Sequence, residues 1–497
     1  MGGKSVAIIG AGFAGLSAGI YALLNGYRPT VFEMHTIPGG LCTSWKRKGY
    51  VIDGCVHWLM GSAPGSEFND MWRTLGLMDG ITYVDHDVYA TYVGEDGRVV
   101  TVFCDADRLE RHLLEVAPQD AAVIRETTAA IRKMTGFSTP MPKPRQLMRF
   151  ADGLKMLKLL PHMGLLKKYL KVSMGEYAQR FQDPLLRKAF AGLFAPDFPA
   201  IFMLMTLAYL HRRDAGYPLG GSMALALRLA RRYKELGGEI RYRSRVSEIR
   251  VEGDRACGVR LADGTEFLAD HVISAADGHT TIFELLAGKY VDAAVREPYE
   301  TYRPFPPLLL AGIGFTGQLP EVPRSVAGMF VDVREPLKLG DQEHTRLAFH
   351  PFDHDPSFAP PGCTVLTCML ETRWEHWDGL RNDRAAYDAE KARVLEWMLA
   401  RLDQRFPGFR SRVEMTDLST PLTFERYTGA WRGSFEGFIA TPSTLLKELP
   451  HTLPGLKGFV MAGHWVEPGG GLPPAAYSGR NAIMLLAHQD GRKFTDR

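Results

Sequence analysis

Three glycines and one carboxylate near the N-terminus stand at a spacing that has a known chemical use. Gly10, Gly12 and Gly15 form the pattern GxGxxG, and Glu33 follows 18 residues after the last glycine. In this pattern the first glycine makes a tight turn, the second lets the backbone approach a pyrophosphate, and the third lets a helix pack closely on a strand. The carboxylate accepts hydrogen bonds from ribose hydroxyls and repels a 2′-phosphate. These residues predict a dinucleotide site, which is expected to include their neighbours Phe13, Ala14 and Met34.

The surrounding residues supply the elements that such a site needs. Val6 to Ile9 is a short β-branched run suited to a buried parallel strand, and it leads directly into Gly10. A helix is predicted from Leu16 to Asn25, with Gly26 as a left-handed stop. Pro29 to Glu33 then indicates a second strand. The βαβ unit closes within about 30 residues, and a pyrophosphate would meet the N-terminus of its helix.

This motif alone does not separate FAD from NAD, so the choice depends on three later segments. The first is Thr36 to Leu41 with its paired glycines, followed by Ser44 and by Asp53-Gly54. Here the chain resembles the phytoene desaturase and carotenoid isomerase family, which includes retinol saturases and falls within the wider amine-oxidase-like flavoproteins. The resemblance implies that Gly39, Gly40 and Leu41 lie along the ribityl chain and pyrophosphate of FAD.

The other two segments are similar to later parts of the same family. Tyr217 to Met223, a helix through Lys234 and a strand from Ile240 to Tyr242 lead to Val246, whose backbone is implied to bracket the adenine. Near the C-terminus, Gly458 to Trp465 is followed by a glycine-rich turn and an apolar helix that runs to about His488. The resemblance implies that this helix points its positive end at flavin N1 and the C2 carbonyl. The flavin contacts implied there are Gly463, Gly470, Gly471 and Leu472.

The order of these segments predicts an α/β protein with an interleaved architecture. A discontinuous Rossmann-type FAD-binding domain is predicted from residues 1–71, 216–288 and 444–497. An α+β substrate-binding domain is predicted from residues 72–215 and 289–443. The first insertion is expected to be mostly helical from about Ala121 to His211, and the second to form a sheet along one wall of a cavity. FAD is expected to bind without a covalent link, with Cys42 serving only for packing.

Composition excludes several classes of protein. The 497 residues suit two or three domains, and 45% hydrophobic with 23% charged residues is an ordinary globular balance. A net charge of +3 is too weak to indicate nucleic acid, and the six cysteines lack the spacing of a metal site. The longest nearly uninterrupted apolar run, Phe198 to Leu210, is too short to cross a bilayer. We therefore expect no metal, no transmembrane helix and a cytoplasmic location.

One basic segment suggests contact with a membrane surface. Residues 143–171 contain eight lysines and arginines and one acid, Asp152, interleaved with leucines and methionines. Pro161 is expected to divide the segment into two short helices. Such a composition suits a peripheral anchor on anionic lipid, but it equally suits a solvated helical face whose leucines belong to the core. Both interpretations stay open at this point.

Flavin chemistry often needs no side-chain nucleophile, so few catalytic residues are expected. His57 and Glu425 are the candidates for moving a proton. The bland alternatives are a buried, hydrogen-bonded imidazole for His57 and a structural ion pair between Glu425 and Arg426. Other candidates near the cofactor segments are Trp58, Tyr427, His464, Trp465 and Glu467.

The leading functional prediction is an FAD-dependent oxidoreductase that acts on carbon–carbon bonds of a hydrophobic polyene or lipid. Desaturation, cis–trans isomerisation and saturation all remain open, as do the substrate and the oligomeric state. One alternative is a flavin amine or porphyrinogen oxidase on the same scaffold. Another is a non-catalytic prenyl-lipid binding protein of the GDP-dissociation-inhibitor type.

Overall fold

A computed structural model describes residues 3–138 and 140–496, without the side chains at positions 151, 154 and 155. The strands are β1 Ser5–Ile9, β2 Arg28–Phe32, β3 Ser44–Arg47, β4 Tyr50–Asp53, β5 Leu59–Met60, β6 Tyr83–Val84, β7 Val88–Val93, β8 Val99–Phe103, β9 Ala215–Pro218, β10 Glu239–Arg241, β11 Val246–Glu252, β12 Arg255–Leu261, β13 Glu266–Leu268, β14 His271–Ser274, β15 Leu308–Thr316, β16 Met329–Leu339, β17 Gln342–Pro351, β18 Cys363–Glu371, β19 Val413–Ser419 and β20 Phe459–Met461.

The α-helices are α1 Phe13–Leu24, α2 Glu67–Thr74, α3 Ala106–Val116, α4 Ala121–Met134, α5 Phe150–Met156, α6 Met163–Tyr169, α7 Met174–Ala178, α8 Pro184–Ala191, α9 Ala200–His211, α10 Gly221–Glu235, α11 Ala293–Thr301, α12 Trp374–Gly379, α13 Arg384–Arg405, α14 Pro421–Thr428 and α15 Leu472–Gln489. A π-helical segment spans Thr280–Leu285. Short 3₁₀ helices include Leu157–His162, which contains Pro161 and separates α5 from α6.

A five-stranded parallel sheet carries the predicted cofactor motifs. Its strand order is β10-β2-β1-β14-β20, and every neighbouring pair is parallel. The central strands are short apolar runs buried on both faces, as expected for a parallel sheet covered by helices. The α/β fold class is therefore confirmed. All five strands lie inside the three ranges predicted for the FAD-binding domain, while the domain limits themselves stay a prediction.

A second sheet of seven strands forms much of the remaining structure. Its order is β19-β15-β18-β17-β16-β7-β8, antiparallel except between β16 and β7. The strand runs seen in the second insertion appear here as β15 and β18, and α13 packs its buried face on the sheet. Residues 88–103 of the first insertion add β7 and β8, which the sequence pattern did not single out. Helices α4 to α9 follow in that insertion, as predicted.

The close packing of α15 on α1 positions the C-terminal glycine turn, and Gly479→Val is expected to disrupt it. A Cβ at Gly479 would overlap the Ala14 carbonyl oxygen and lie 2.7 Å from the Ala18 nitrogen. Because both are backbone atoms of α1, relief requires the helices to separate, at a cost of at least about 3 kcal/mol. Denaturant unfolding measures this loss. Gly164→Ala, in α6 with no atom within 4 Å of the added Cβ, is the control and should leave stability unchanged or slightly higher.

Two sequence expectations about composition agree with the described residues. Among residues 3–138 and 140–496, no helix is long and apolar enough to cross a bilayer. The longest apolar run forms α9, which is only 12 residues long and buried in the core. Over the same ranges, no cluster of histidine, cysteine or acidic side chains has the geometry to hold a metal ion.

Candidate cofactor and substrate site

One large cavity, of about 2040 Å³, brings the predicted cofactor residues together. Single-ligand pockets usually have volumes of about 300 to 1,000 Å³, so this cavity has room for a cofactor and a second molecule. The predicted cofactor residues that line it are Gly10, Gly12, Phe13, Ala14, Glu33, Met34, Gly39, Gly40, Leu41, Val246, Gly463, Gly470, Gly471 and Leu472. Gly15 lies outside the lining.

The three N-terminal glycines occupy different environments that match their predicted uses. Gly10 has φ +96°, a backbone conformation that strongly favours glycine. A Cβ at Gly15 would overlap the Gly10 carbonyl oxygen, so this glycine permits the close packing of α1 on β1. A Cβ at Gly12 would meet no atom closer than 3.8 Å, in Gly39. The space beside Gly12 is therefore open on the cavity side, where a pyrophosphate would pass.

Glu33 is held in place by backbone groups at the end of β2. Its Oε2 accepts a hydrogen bond from the Ala11 N–H at 2.8 Å, and its Oε1 accepts one from the His35 N–H at 2.7 Å. The side chain is buried but borders the cavity. A carboxylate has about four acceptor positions, so two remain for other donors. This arrangement fits the two hydroxyls of an adenosine ribose.

Asp53 links the first cofactor segment to the second. Its Oδ2 accepts from the Ser222 N–H at 2.7 Å, and its Oδ1 accepts from the Ser222 hydroxyl at 2.6 Å and from the Cys55 N–H at 3.1 Å. Burial raises the pKa of this carboxyl to about 6, although the hydrogen bonds oppose the shift. The Asp53-Gly54 pair thus ties the end of β4 to the first turn of α10.

A carboxyl that the sequence reasoning missed lies at the N-terminus of α15. Glu436 Oε1 accepts a hydrogen bond from the Gly471 N–H at 2.7 Å. A Cβ at Gly470 would overlap Glu436 Oε2, so the carboxyl lies directly against the glycine turn. Burial raises its pKa to about 7. Because 35 residues separate Glu436 from Gly471, no local motif points to their contact.

His464 and Glu467 support this turn and the helix behind it. The His464 Nε2–H donates to the Gly471 carbonyl oxygen at 2.7 Å. Glu467 Oε1 is 3.1 Å from both His451 Nε2 and Asn481 Nδ2. Trp465 packs among other rings, including Phe438 with its ring centre 4.8 Å away. These candidates therefore position the cofactor segment.

The part of the cavity away from the glycine motifs is apolar and rich in aromatic rings. Phe194, Phe198 and Phe202 follow one another along the wall, with ring centres 6.1 and 4.8 Å apart. Phe305 continues this row, 5.8 Å from Phe198. Other apolar residues that line this part are Trp58, Met60, Tyr89, Leu193, Met205, Phe330 and Met369. Such a wall suits a long hydrophobic ligand.

The two proton-transfer candidates both line the cavity, in different surroundings. The ring of His57 lies 5.3 Å from that of His350, a histidine that the sequence reasoning did not select. Glu425 accepts from Arg381 Nη2 at 2.9 and 3.0 Å and from Trp374 Nε1 at 3.1 Å. The ion pair expected between Glu425 and Arg426 is therefore wrong. Arg426 instead stacks on Tyr427, because the helical geometry directs it away from its neighbour.

Comparison with known proteins agrees with this geometry. The chain is 28% identical to chloroplastic prolycopene isomerase of Arabidopsis thaliana, covering 97% of this chain and 82% of that protein. It is 25% identical to the lycopene-forming phytoene desaturase of a Paracoccus species, covering 97% of each. An oxidoreductase structure from Methanosarcina mazei is similar in fold, with a TM-score of 0.61, 17% identity and coverage of 97% of this chain and all of the other.

The family model for flavin containing amine oxidoreductases matches residues 13–483. That range includes all three cofactor segments except the first glycines. The chain therefore belongs to the flavin containing amine oxidoreductase family and is an FAD-dependent enzyme.

Proposed function

We propose that this enzyme acts on carbon–carbon bonds of a hydrophobic polyene, of the chemical class that its isomerase and desaturase relatives are named for. The aromatic and apolar wall that continues from the cofactor residues carries this proposal. FAD, when bound, supplies the redox chemistry. The residues of this chain bind FAD at the glycine motifs and Glu33, orient the polyene along the phenylalanine row, and exclude water from the reacting bond.

An anaerobic assay with oxidised and with reduced flavin tests this function. The panel contains carotenoids with cis and trans double bonds, retinoids, unsaturated lipids, and a polyamine and a porphyrinogen as controls. Turnover of a polyene with either flavin state supports the proposal, and the flavin state that is needed separates desaturation from isomerisation and saturation. Turnover of the amine or porphyrinogen alone would contradict it.

A surface at the opening of the cavity suits contact with lipid. Arg145 lines the cavity with 67% of its side chain exposed, and its Nη2 donates to the Leu446 carbonyl oxygen at 3.0 Å. Exposed apolar side chains lie in the same segments, among them Phe150 at 86% and Leu160 at 64%. We define the docking surface as Met148, Arg149, Phe150, Met156, Leu157, Lys158, Leu160, Lys167, Lys171 and Leu446. It joins exposed apolar groups to basic ones, as a peripheral anchor on anionic lipid requires.

His57 and Glu425 stay predictions as proton-transfer groups. The ion pair with Arg381 holds Glu425 as an anion-binding partner of a cation, which favours a positioning role for it. His57 borders the apolar cavity, where burial lowers its pKa to about 4. A neutral imidazole at physiological pH is able to accept a proton there.

Glu436→Gln is expected to raise the reduction potential of the bound flavin at pH 8 and to leave it nearly unchanged at pH 6. With a pKa raised to about 7, the carboxyl is mostly protonated at pH 6 and mostly charged at pH 8. Its charge at the start of α15 opposes the negative charge that flavin gains on reduction, by about 1 kcal/mol or more, and glutamine removes it. Dye equilibration at both pH values measures the effect, with Glu448→Gln as the control. Equal potentials of wild type and variant at pH 8 would place Glu436 away from the flavin.

A further inference from the structure

Four histidine rings form a row that begins at the cavity wall. His57 and His350 both line the cavity, and their ring centres are 5.3 Å apart. His354 lies 5.7 Å beyond His350, and His86 lies 4.7 Å beyond His354. Neither His354 nor His86 lines the cavity. The row therefore leads from the cavity into the protein, away from the cofactor motifs.

The outer end of the row reaches the surface beside an ion pair. Arg324 Nε is 3.1 Å from Asp353 Oδ2, and 57% of the Arg324 side chain is exposed. His354 Nδ1 lies 3.9 Å from Asp353 Oδ1. Asp353 thus stands between the row and the solvent.

The ring nitrogens along the row are free to exchange protons. His350 Nε2 lies 3.0 Å from the Ser325 carbonyl oxygen and so carries the hydrogen, which leaves Nδ1 as the acceptor. Within the described residues, His350 Nδ1, both nitrogens of His354 and Nε2 of His86 have no hydrogen-bond partner. Buried polar atoms without a partner are uncommon and point to a role. A ring rotation or one water molecule spans the distance between neighbouring rings.

The charged groups around the row keep the imidazoles neutral. Burial lowers the pKa of all four histidines, to about 4 for His57 and His86. Arg324 lowers it further at His86 and His354, whereas three carboxylates oppose the shift, namely Asp87 and Asp353 at His86 and Asp355 at His354. The Tyr217 ring packs 4.7 Å from His354, and its hydroxyl donates to Asp355. A neutral imidazole has one donor and one acceptor nitrogen, so it passes a proton on without keeping a charge.

We propose that His57, His350, His354 and His86 form a proton relay between the cavity and the surface at Asp353. The relay moves one proton at a time, received at one nitrogen and released from the other, with no electrons or heavy atoms transferred. The proposal rests on the proposed function for the use of this proton. A polyene that fills an apolar cavity excludes water, so a proton entering or leaving at its carbon needs a path through side chains.

Film voltammetry of the FAD-loaded enzyme tests the relay without any substrate. When protons reach the cavity quickly, the flavin potential depends on pH even at fast scan rates; when they arrive slowly, that dependence disappears. We expect His354→Phe, which keeps an aromatic ring beside Tyr217, to lose the pH dependence at scan rates at least about tenfold lower than the wild type. His86→Phe at the outer end should do the same. In His354→Ala, added imidazole should restore the wild-type behaviour, because it fits the space that the ring leaves.

His344→Gln is the matched control. His344 also lies on β17 and also has a ring nitrogen without a partner within the described residues, but it lies outside the row and borders a small surface pocket beside Lys188. This variant should behave as the wild type. Wild-type behaviour of both His354→Phe and His86→Phe, at full flavin content, would overturn the relay. Failure of every polyene in the assay above would instead contradict the proposed function and leave this measurement valid.

Discussion

Gly12→Val is expected to yield a folded protein that purifies without flavin. The Cβ of residue 12 would point into open space, with its nearest neighbour at 3.8 Å, so the apoprotein tolerates the side chain. The valine methyl groups would then occupy the path of the pyrophosphate, which must approach the backbone closely at the start of α1. Flavin absorbance per protein at 450 nm or so after gel filtration measures the loss, and circular dichroism verifies the fold.

Two other variants distinguish this steric effect from simple unfolding. In Gly15→Val the added Cβ would overlap the Gly10 carbonyl oxygen, so that variant should fail to fold. Glu33→Ala should fold and bind FAD more weakly, because it loses two charge-assisted hydrogen bonds at about 1.5 to 3 kcal/mol each. It also frees the Ala11 and His35 N–H groups that Glu33 now holds. Full flavin occupancy in folded Gly12→Val would refute the placement of the pyrophosphate.

Reversing three charges on the docking surface is expected to abolish binding to anionic vesicles. Lys158, Lys167 and Lys171 are exposed, and no ion pair involving them is seen within the described residues. Each basic residue near an anionic leaflet contributes about 1 kcal/mol, so the change to three glutamates should weaken binding at least about a hundredfold. Lys168 is left unchanged because its Nζ pairs with Glu126 at 2.9 Å. Sedimentation with phosphatidylserine vesicles at low and high salt measures the effect.

The control carries the same change in net charge at other exposed positions. Lys289→Glu, Lys338→Glu and Lys457→Glu together should bind vesicles nearly as the wild type does. Replacing Phe150, Leu157 and Leu160 with serine should also weaken binding, because the apolar contribution is lost while the charges stay. Flavin content should be normal in every variant. If the wild type ignores anionic vesicles at low salt, the basic segment is an ordinary solvated face.

The sequence alone was enough to predict the nucleotide-binding fold and its cofactor. The predicted strand Val6 to Ile9 corresponds to Ser5–Ile9 in the structure, and the predicted C-terminal helix ends within a residue or two of Gln489. These elements are readable because their signals are local: short apolar runs form buried strands, and glycines interrupt them where a backbone must turn or approach a ligand. The separation of the three cofactor segments by two insertions was equally visible along the chain.

Contacts between distant segments were decided only by the tertiary structure. Glu436 meets Gly471, Glu425 pairs with Arg381, and His57 lies beside His350 because the two sheets and their helices bring these residues together. In each case the partner is one of many chemically equivalent side chains, and no periodicity or spacing distinguishes it. The exposure of Phe150 and Leu160 was hidden in the same way, since leucines and phenylalanines are usually core residues and only packing reveals which ones stay uncovered.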